Sequence, residues 1–412
     1  MIKGSMLGAA VLIFVSLAAG QQTFSSQIRG LRVYGVTEAS LPVASPAGQP
    51  ITIEFDVVDP QAPDLQLSFF HCDKDWNVTR NVFVNDLQRN MTRAELPFAA
   101  APAGVQGYTF HYMIKVPDPI LYEQFAYSGN YVFELRERGK DQLLAQGRFF
   151  IVENMVRPTM SVKNRQEPSL PSPYYQVNRI SVRFTVPERD STEQVALMGQ
   201  LFSTVDVYRN KEVYRPHRID TDDMDPHTFV NGLATSHLEF IIDNVEPGDN
   251  YRVLDLRNID FYPQDRMLRS HTGADVSRFP GKPGPGVGGG SSIVREGRYA
   301  EYLNYTFELL WPAAEESPVY VVGDFNGWRP SAENTMTFEK DRYVWKTSLR
   351  RGVYDYQYVC GDDWVVFEGN QWSVSSMYTA FVYYHDQRFG GFDRIVGIAR
   401  GRGPGGTRAT SD

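Results

Sequence analysis

Residues 318–358 read PVYVVGDFNGWRPSAENTMTFEKDRYVWKTSLRRGVYDYQY, and their pattern decides the fold. Val319, Val321 and their neighbours form an apolar run of strand character that breaks at Gly323. The turn Asp324-Phe325-Asn326-Gly327 follows, and its Asn-Gly pair takes positive φ at little steric cost. Trp328 stands where the chain leaves that turn. Further on, YVWKTSL (343–349) alternates large with small or polar residues at period two. Arg351-Gly352 reverses the chain, and Tyr354, Tyr356 and Tyr358 alternate again. Three short antiparallel strands joined by turns of this chemistry describe half of a β-sandwich.

The same pattern recurs upstream. Ile51, Ile53, Phe55 and Val57 alternate with polar neighbours, as do Leu65, Leu67 and Phe69. Tyr108, Phe110, Tyr112, Ile114 and Val116 share a face; Tyr131, Phe133 and Leu135 follow the tight turn Ser128-Gly129-Asn130. With RFFIV at 148–152, this spacing predicts a first sandwich over residues 25–156. Pro158 marks a boundary. Ile180 to Val186, then Val195, Leu197 and Leu201, then Leu238, Phe240 and Ile242, and finally RVLDLRNIDF after Tyr251 predict a middle β-domain over 157–280. FPGKPGPGVGGGSS then places a Gly/Pro-rich linker at 281–292, a third sandwich at 293–399 and a disordered tail at 400–412. The expected class is all-β, a tandem of immunoglobulin-like sandwiches.

Composition agrees with that class. The chain has 412 residues, too many for one ordinary core, and 13% are aromatic, which suits half-buried pleated surfaces. A net charge of −8 without a basic stripe argues against nucleic acid. Lys3 precedes an apolar run at 6–19, and Ala18 and Gly20 offer small residues for cleavage before Gln21. That run has the length of a signal-peptide core and is short of a bilayer span, so residues 1–20 predict export.

Chemistry-bearing patterns fail one by one. The seven His show no metal spacing. His71, Cys72 and Asp73 are consecutive, and adjacent strand residues face opposite sides, so they form no nucleophile dyad. There is no G-x-S-x-G elbow. The acidic run Asp220, Asp222, Asp223, Asp225 lacks the glycine and closing glutamate of an EF-hand loop. Lys282 precedes Pro283 where a P-loop needs Ser or Thr. No catalytic, cofactor-binding or metal-binding residue is assigned, and a non-enzyme is expected. Cys72 and Cys360 fall in different predicted domains; two buried thiols are the favoured reading, with an inter-domain bridge as the alternative.

The G-D-F-N-G-W turn and the Y-x-Y strand resemble early-set modules that include glycogen- and starch-binding domains. Trp328 and Trp364 match the positions at which tryptophans of those modules stack on sugar rings. The resemblance implies, as an alternative function, an exported glycan-binding protein that uses these two residues.

A second resemblance spans residues 30–398. H-C-D-x-D-W (71–76), S-G-N-Y (128–131), R-F-F-I-V-E (148–153), Y-R-V-L-D-L-R (251–257) and V-Y-V-V-G-D-F-N-G-W (319–328) occur in that order. G-V-Y-D-Y-Q-Y (352–358), F-E-G-N-Q-W (367–372), Y-T-A-F-V-Y-Y (378–384) and F-D-R-I-V-G (392–397) complete the series. The series is similar to the plug protein family of the type IX secretion system. It implies a periplasmic, non-enzymatic protein whose partner is the outer-membrane translocon barrel of the SprA type, with no cofactor. Trp328 and Trp364 are then candidate partner contacts. The glycine-rich 281–290 segment and the Arg/Gly tail stand outside the shared series.

Overall fold

The alternation at Ile51–Val57 builds a strand whose apolar set, Ile51, Ile53, Phe55 and Val57, is entirely within a core. A computed structural model describes residues 22–37, 40–86, 89–172, 174–186, 200–223, 225–233, 235–264, 266–278 and 301–403. The expectations at 1–20, at Val195 and Leu197, at 281–292 and over 404–412 lie outside the described residues.

The chain forms three β-sandwich units. In the first, Ile28–Tyr34, Ile51–Val57, Phe110–Val116 and Phe98–Ala100 make one antiparallel sheet. Leu65–Cys72, Gly129–Glu137, Leu143–Ile151 and Gln22–Thr23 make the facing sheet, with Val43–Ala44 added in parallel to Leu143–Ile151. Phe69, Phe125, Tyr131 and Phe149 fill the space between them edge to face.

The middle sandwich corrects the linear partition. One of its sheets is Thr159–Gln166, Gln176–Thr185, His237–Val245 and Thr228–Asn231. The other is Pro216–Asp220, Thr204–Arg209, Met377–Asp386 and Phe392–Arg402. Its last two strands come from the stretch read as part of the third domain, yet Thr204–Arg209 pairs in register with Tyr378–Tyr383. Tyr378, Ala380, Val382 and Val396 share one core with Ile180, Val182 and Phe240. Arg400–Arg402, expected in the tail, continue a strand, with Arg402 opposite Met377.

The third unit is therefore an insertion between His237–Val245 and Met377–Asp386. Arg252–Asp255, expected in the middle domain, pairs with Val353–Cys360, which also pairs with Val319–Gly323. Tyr302–Leu310, Arg342–Arg350 and Thr337–Glu339 form the opposing sheet, with Asp275–Val276 parallel to Tyr302–Leu310. Ladder hydrogen bonds decide membership here, and sequence order alone does not encode them. Cys72 is buried, Cys360 is half-buried and both are free thiols, so no bridge joins the units. Among the described residues no helix is long and apolar enough to cross a membrane.

Candidate functional site

Two corners of the chain end in a tryptophan at positive φ. At the first, residues 323–328, Gly323 leaves no room for a side chain: a Cβ there would lie 2.5 Å from the carbonyl oxygen of Asp355. The Asn326 side chain accepts the Gly323 N–H and donates to the Val321 carbonyl, both at 2.9 Å. Gly327 and Trp328 then take φ of 64° and 63°. A left-handed tryptophan is uncommon and persists where its surroundings over-determine it.

Those surroundings come from the insertion itself and from the middle unit. The Trp328 indole is 2% exposed, lies 4.0 Å from the Tyr251 ring centroid and sits under the Lys211 ammonium at 5.7 Å. Its N–H donates to Asp324 Oδ1 at 3.1 Å, and Lys211 Nζ pairs with Asp324 and with Asp355 at 3.4 Å. Trp364, 6% exposed, joins the same cluster with Val322 and Val359, beneath the Arg215 guanidinium at 5.1 Å. The structure thus brings both candidate tryptophans together, on a seam between the inserted and middle units. Neither has an open face to lay against a sugar ring. Sequence reading missed Lys211 and Arg215, because no local pattern links them to tryptophans over a hundred residues away.

The second corner is the H-C-D-K-D-W motif. His71 Nε2 lies 3.1 Å from the Ser128 carbonyl, which can only accept, so that nitrogen carries the proton. Nδ1 then accepts from the Thr79 hydroxyl at 2.8 Å. Burial holds His71 down at about 4 and pushes the Cys72 thiol up to about 12, which leaves that thiol unreactive. Gly129 is required beside them: its φ is +147°, and a Cβ would stand 2.4 Å from His71 Nε2. Beyond the strand, the corner docks on the middle unit. Lys74 pairs with Asp220 and donates to Thr204 at 3.0 Å; Arg218 pairs with Asp75 and, at 2.7 Å, with Asp206. Asn130 donates to the Asp73 carbonyl at 3.0 Å and accepts from Tyr383 at 2.9 Å. Trp76, φ 66° and 5% exposed, packs on Phe150, which stacks on Phe381 at 4.4 Å.

A third seam joins the first unit to the insertion. Asp56 accepts from Arg350 Nη1 at 3.2 Å, from Tyr302 at 2.9 Å, and contacts His111 Nδ1 at 2.7 Å. Arg350 Nη2 donates to Tyr108 at 3.0 Å. A buried charge is tolerated when it is paired and hydrogen-bonded in this way, and breaking such a pair is costly. The three units meet around a cavity of about 50 Å³ whose lining includes Arg32, Arg148, Lys211, Tyr214, Asp324 and Trp328.

Comparison with known proteins gives the first unit a family. Residues 28–153, which contain the His71 corner and the Gly129 turn, match the family described as type 9 secretion system plug protein, 1st domain. That stretch is thus similar to a type 9 secretion system plug domain. A crystal structure of a hypothetical protein from Parabacteroides merdae ATCC 43184 superposes with a TM-score of 0.75 at 18% identity, covering 93% of this chain and 99% of that one. At that identity the likeness extends the shared fold across all three units and says nothing of activity. The full-length major pilin RrgB from Streptococcus pneumoniae, at 7% identity and a TM-score of 0.12 over 92% of this chain and 66% of that one, carries no argument. No curated protein matches the chain in sequence.

Proposed function

We propose that this chain is a non-enzymatic periplasmic plug that docks on the outer-membrane translocon barrel of the type IX secretion system, of the SprA type, and closes its periplasmic mouth. The observation that carries this reading is the plug-domain match over residues 28–153. The plug domain is part of a larger body, cross-tied to both other units by buried polar seams at Asp56–Arg350 and Lys74–Asp220 and by the Phe150–Phe381 stack. A body tied at three seams presents a preorganised surface, so little ordering entropy is lost on docking. Trp328 and Trp364 hold the seams and contribute to docking through shape. The glycan-binding alternative lacks an exposed indole at either position.

The test is affinity capture of the tagged mature protein from envelope extracts of a host that encodes the apparatus, with mass spectrometry of what is retained. An outer-membrane barrel of unusual size is expected in stoichiometric amount. Recovery of no membrane protein overturns the reading. Maltooligosaccharide titration by calorimetry is expected to show no heat.

A further inference from the structure

Arg148 differs from other described cations at the unit junctions. It lies on Leu143–Ile151, largely buried, with its guanidinium 4.4 Å from the Trp76 ring centroid and 5.0 Å from that of Tyr214. Lys74, Lys211, Arg209, Arg218, Arg252, Arg350 and Arg351, which also lie at or between the sandwich units, each pair with a carboxylate. Arg148 pairs with none among the described residues, and its buried Nε donates to nothing. Desolvation accordingly lowers its proton affinity, and the positive charge of Arg329 nearby adds to the effect. An uncompensated guanidinium in a shielded place is destabilising, so a fold that keeps one either gains elsewhere or uses it.

Its surroundings show what it suits. Arg148 lines the three-way cavity, as do Arg32 and Lys211. Lys211 is already neutralised by Asp324 and Asp355, and Arg32 lies 4.0 Å from Glu54, so Arg148 is the cation left to attract a ligand. Both rings lie within cation–π distance of the guanidinium, and its Nε–H is without a hydrogen-bond partner among the described residues. A planar edge with paired N–H donors matches a carboxylate in a bidentate fit. About 50 Å³ is room for a group of that size and excludes a folded partner.

We propose that the junction cavity is a carboxylate-binding site in which Arg148, held against the Trp76 and Tyr214 rings, receives an acidic side chain or a free chain terminus from an extended peptide segment. The site is built from the first unit (Arg148, Trp76), the middle unit (Tyr214) and the insertion (Trp328), so occupancy couples all three. The proposal does not depend on the secretion partner, because the chemistry is complete within this chain.

The experiment titrates the mature protein with three peptides at constant ionic strength, following intrinsic tryptophan fluorescence, since Trp76 touches the site and Trp328 lines it. N-acetyl-alanyl-alanine carries a free terminus, N-acetyl-glutamyl-alanine amide carries a side-chain carboxylate, and N-acetyl-alanyl-alanine amide carries neither. Saturable quenching by one or both acids, with none from the amide, is expected, and the tighter acid identifies the source. A charged hydrogen bond of about 1.5–3 kcal/mol predicts at least a roughly tenfold loss in Arg148→Gln. Arg148→Lys, which keeps the charge without the planar fork, should lose part of the affinity. Equal responses to the acids and the amide, or undiminished binding in a folded Arg148→Gln, overturn the proposal. If that variant does not fold, melting of the wild type decides: acetate should raise the transition saturably above a chloride control, and no rise overturns the site.

Discussion

The two tryptophan corners are near copies in geometry and opposites in electrostatics. Trp328 and Trp76 both hold left-handed backbone, at φ 63° and 66°, both are buried, and both sit beneath a cation. Over Trp328 the cation is Lys211, which is neutralised by Asp324 and Asp355. Over Trp76 it is Arg148, which lies against the Trp76 and Tyr214 rings and meets no carboxylate among the described residues. The first corner is thus closed upon itself, a joint. The second leaves a charge unanswered at the place where three units meet.

The largest effect that tests this contrast is expected from Lys211→Met. It strands two buried carboxylates, and breaking a buried pair costs about 3–5 kcal/mol. Urea unfolding should show a markedly lower midpoint; an unchanged midpoint would mean that Asp324 and Asp355 find other partners and that the joint is not charge-locked.

Acid should act next, through the corner that holds His71. Its folded pKa is depressed, to about 4 from 6.5, so the folded state binds its proton more weakly than the unfolded state does. The corresponding stability is full above pH 6.5 and is lost as pH falls toward 4. His217, half-buried in the middle unit and depressed to about 3, acts in the same direction. Each group contributes a slope of about 1.4 kcal/mol per pH unit within its window. In His71→Gln the slope of melting temperature against pH should flatten between pH 6.5 and 4. An unaltered slope would assign the acid sensitivity elsewhere.

The smallest effect is expected from Arg148→Met. Removing an unpaired guanidinium relieves desolvation while giving up two cation–π contacts of about 1–2 kcal/mol together, so the net change should stay within about 1 kcal/mol. A loss as large as that of Lys211→Met, seen in the same unfolding assay, would erase the distinction between the corners.

Much of the scaffold was legible because it is local. The Asn326-Gly327 turn, the Tyr354–Tyr358 alternation and the apolar face Ile51–Val57 follow from turn chemistry and period two, and the strands lie at those places. The other face of Ile51–Val57 was not legible. Thr52, Glu54 and Asp56 are polar, yet all three are buried, and Asp56 accepts hydrogen bonds from Arg350 and Tyr302 of the insertion. The candidate site was legible by halves: Trp328 was marked by its turn, but not the Lys211 above it, nor the pairing of Trp76 with Arg148.

The sequence by itself determined an all-β chain, the positions of its turns and a motif series whose first part, within residues 28–153, is similar to a plug domain, since these depend on neighbours within a few residues. Only the tertiary structure decided that Met377–Asp386 and Phe392–Arg402 return to the middle sandwich and that Trp328 is enclosed. Only it showed which buried cation has a carboxylate partner. Strand partnership and charge compensation are settled by groups a hundred or more residues apart. Their meeting depends on which surfaces remain to be covered once each sandwich has closed.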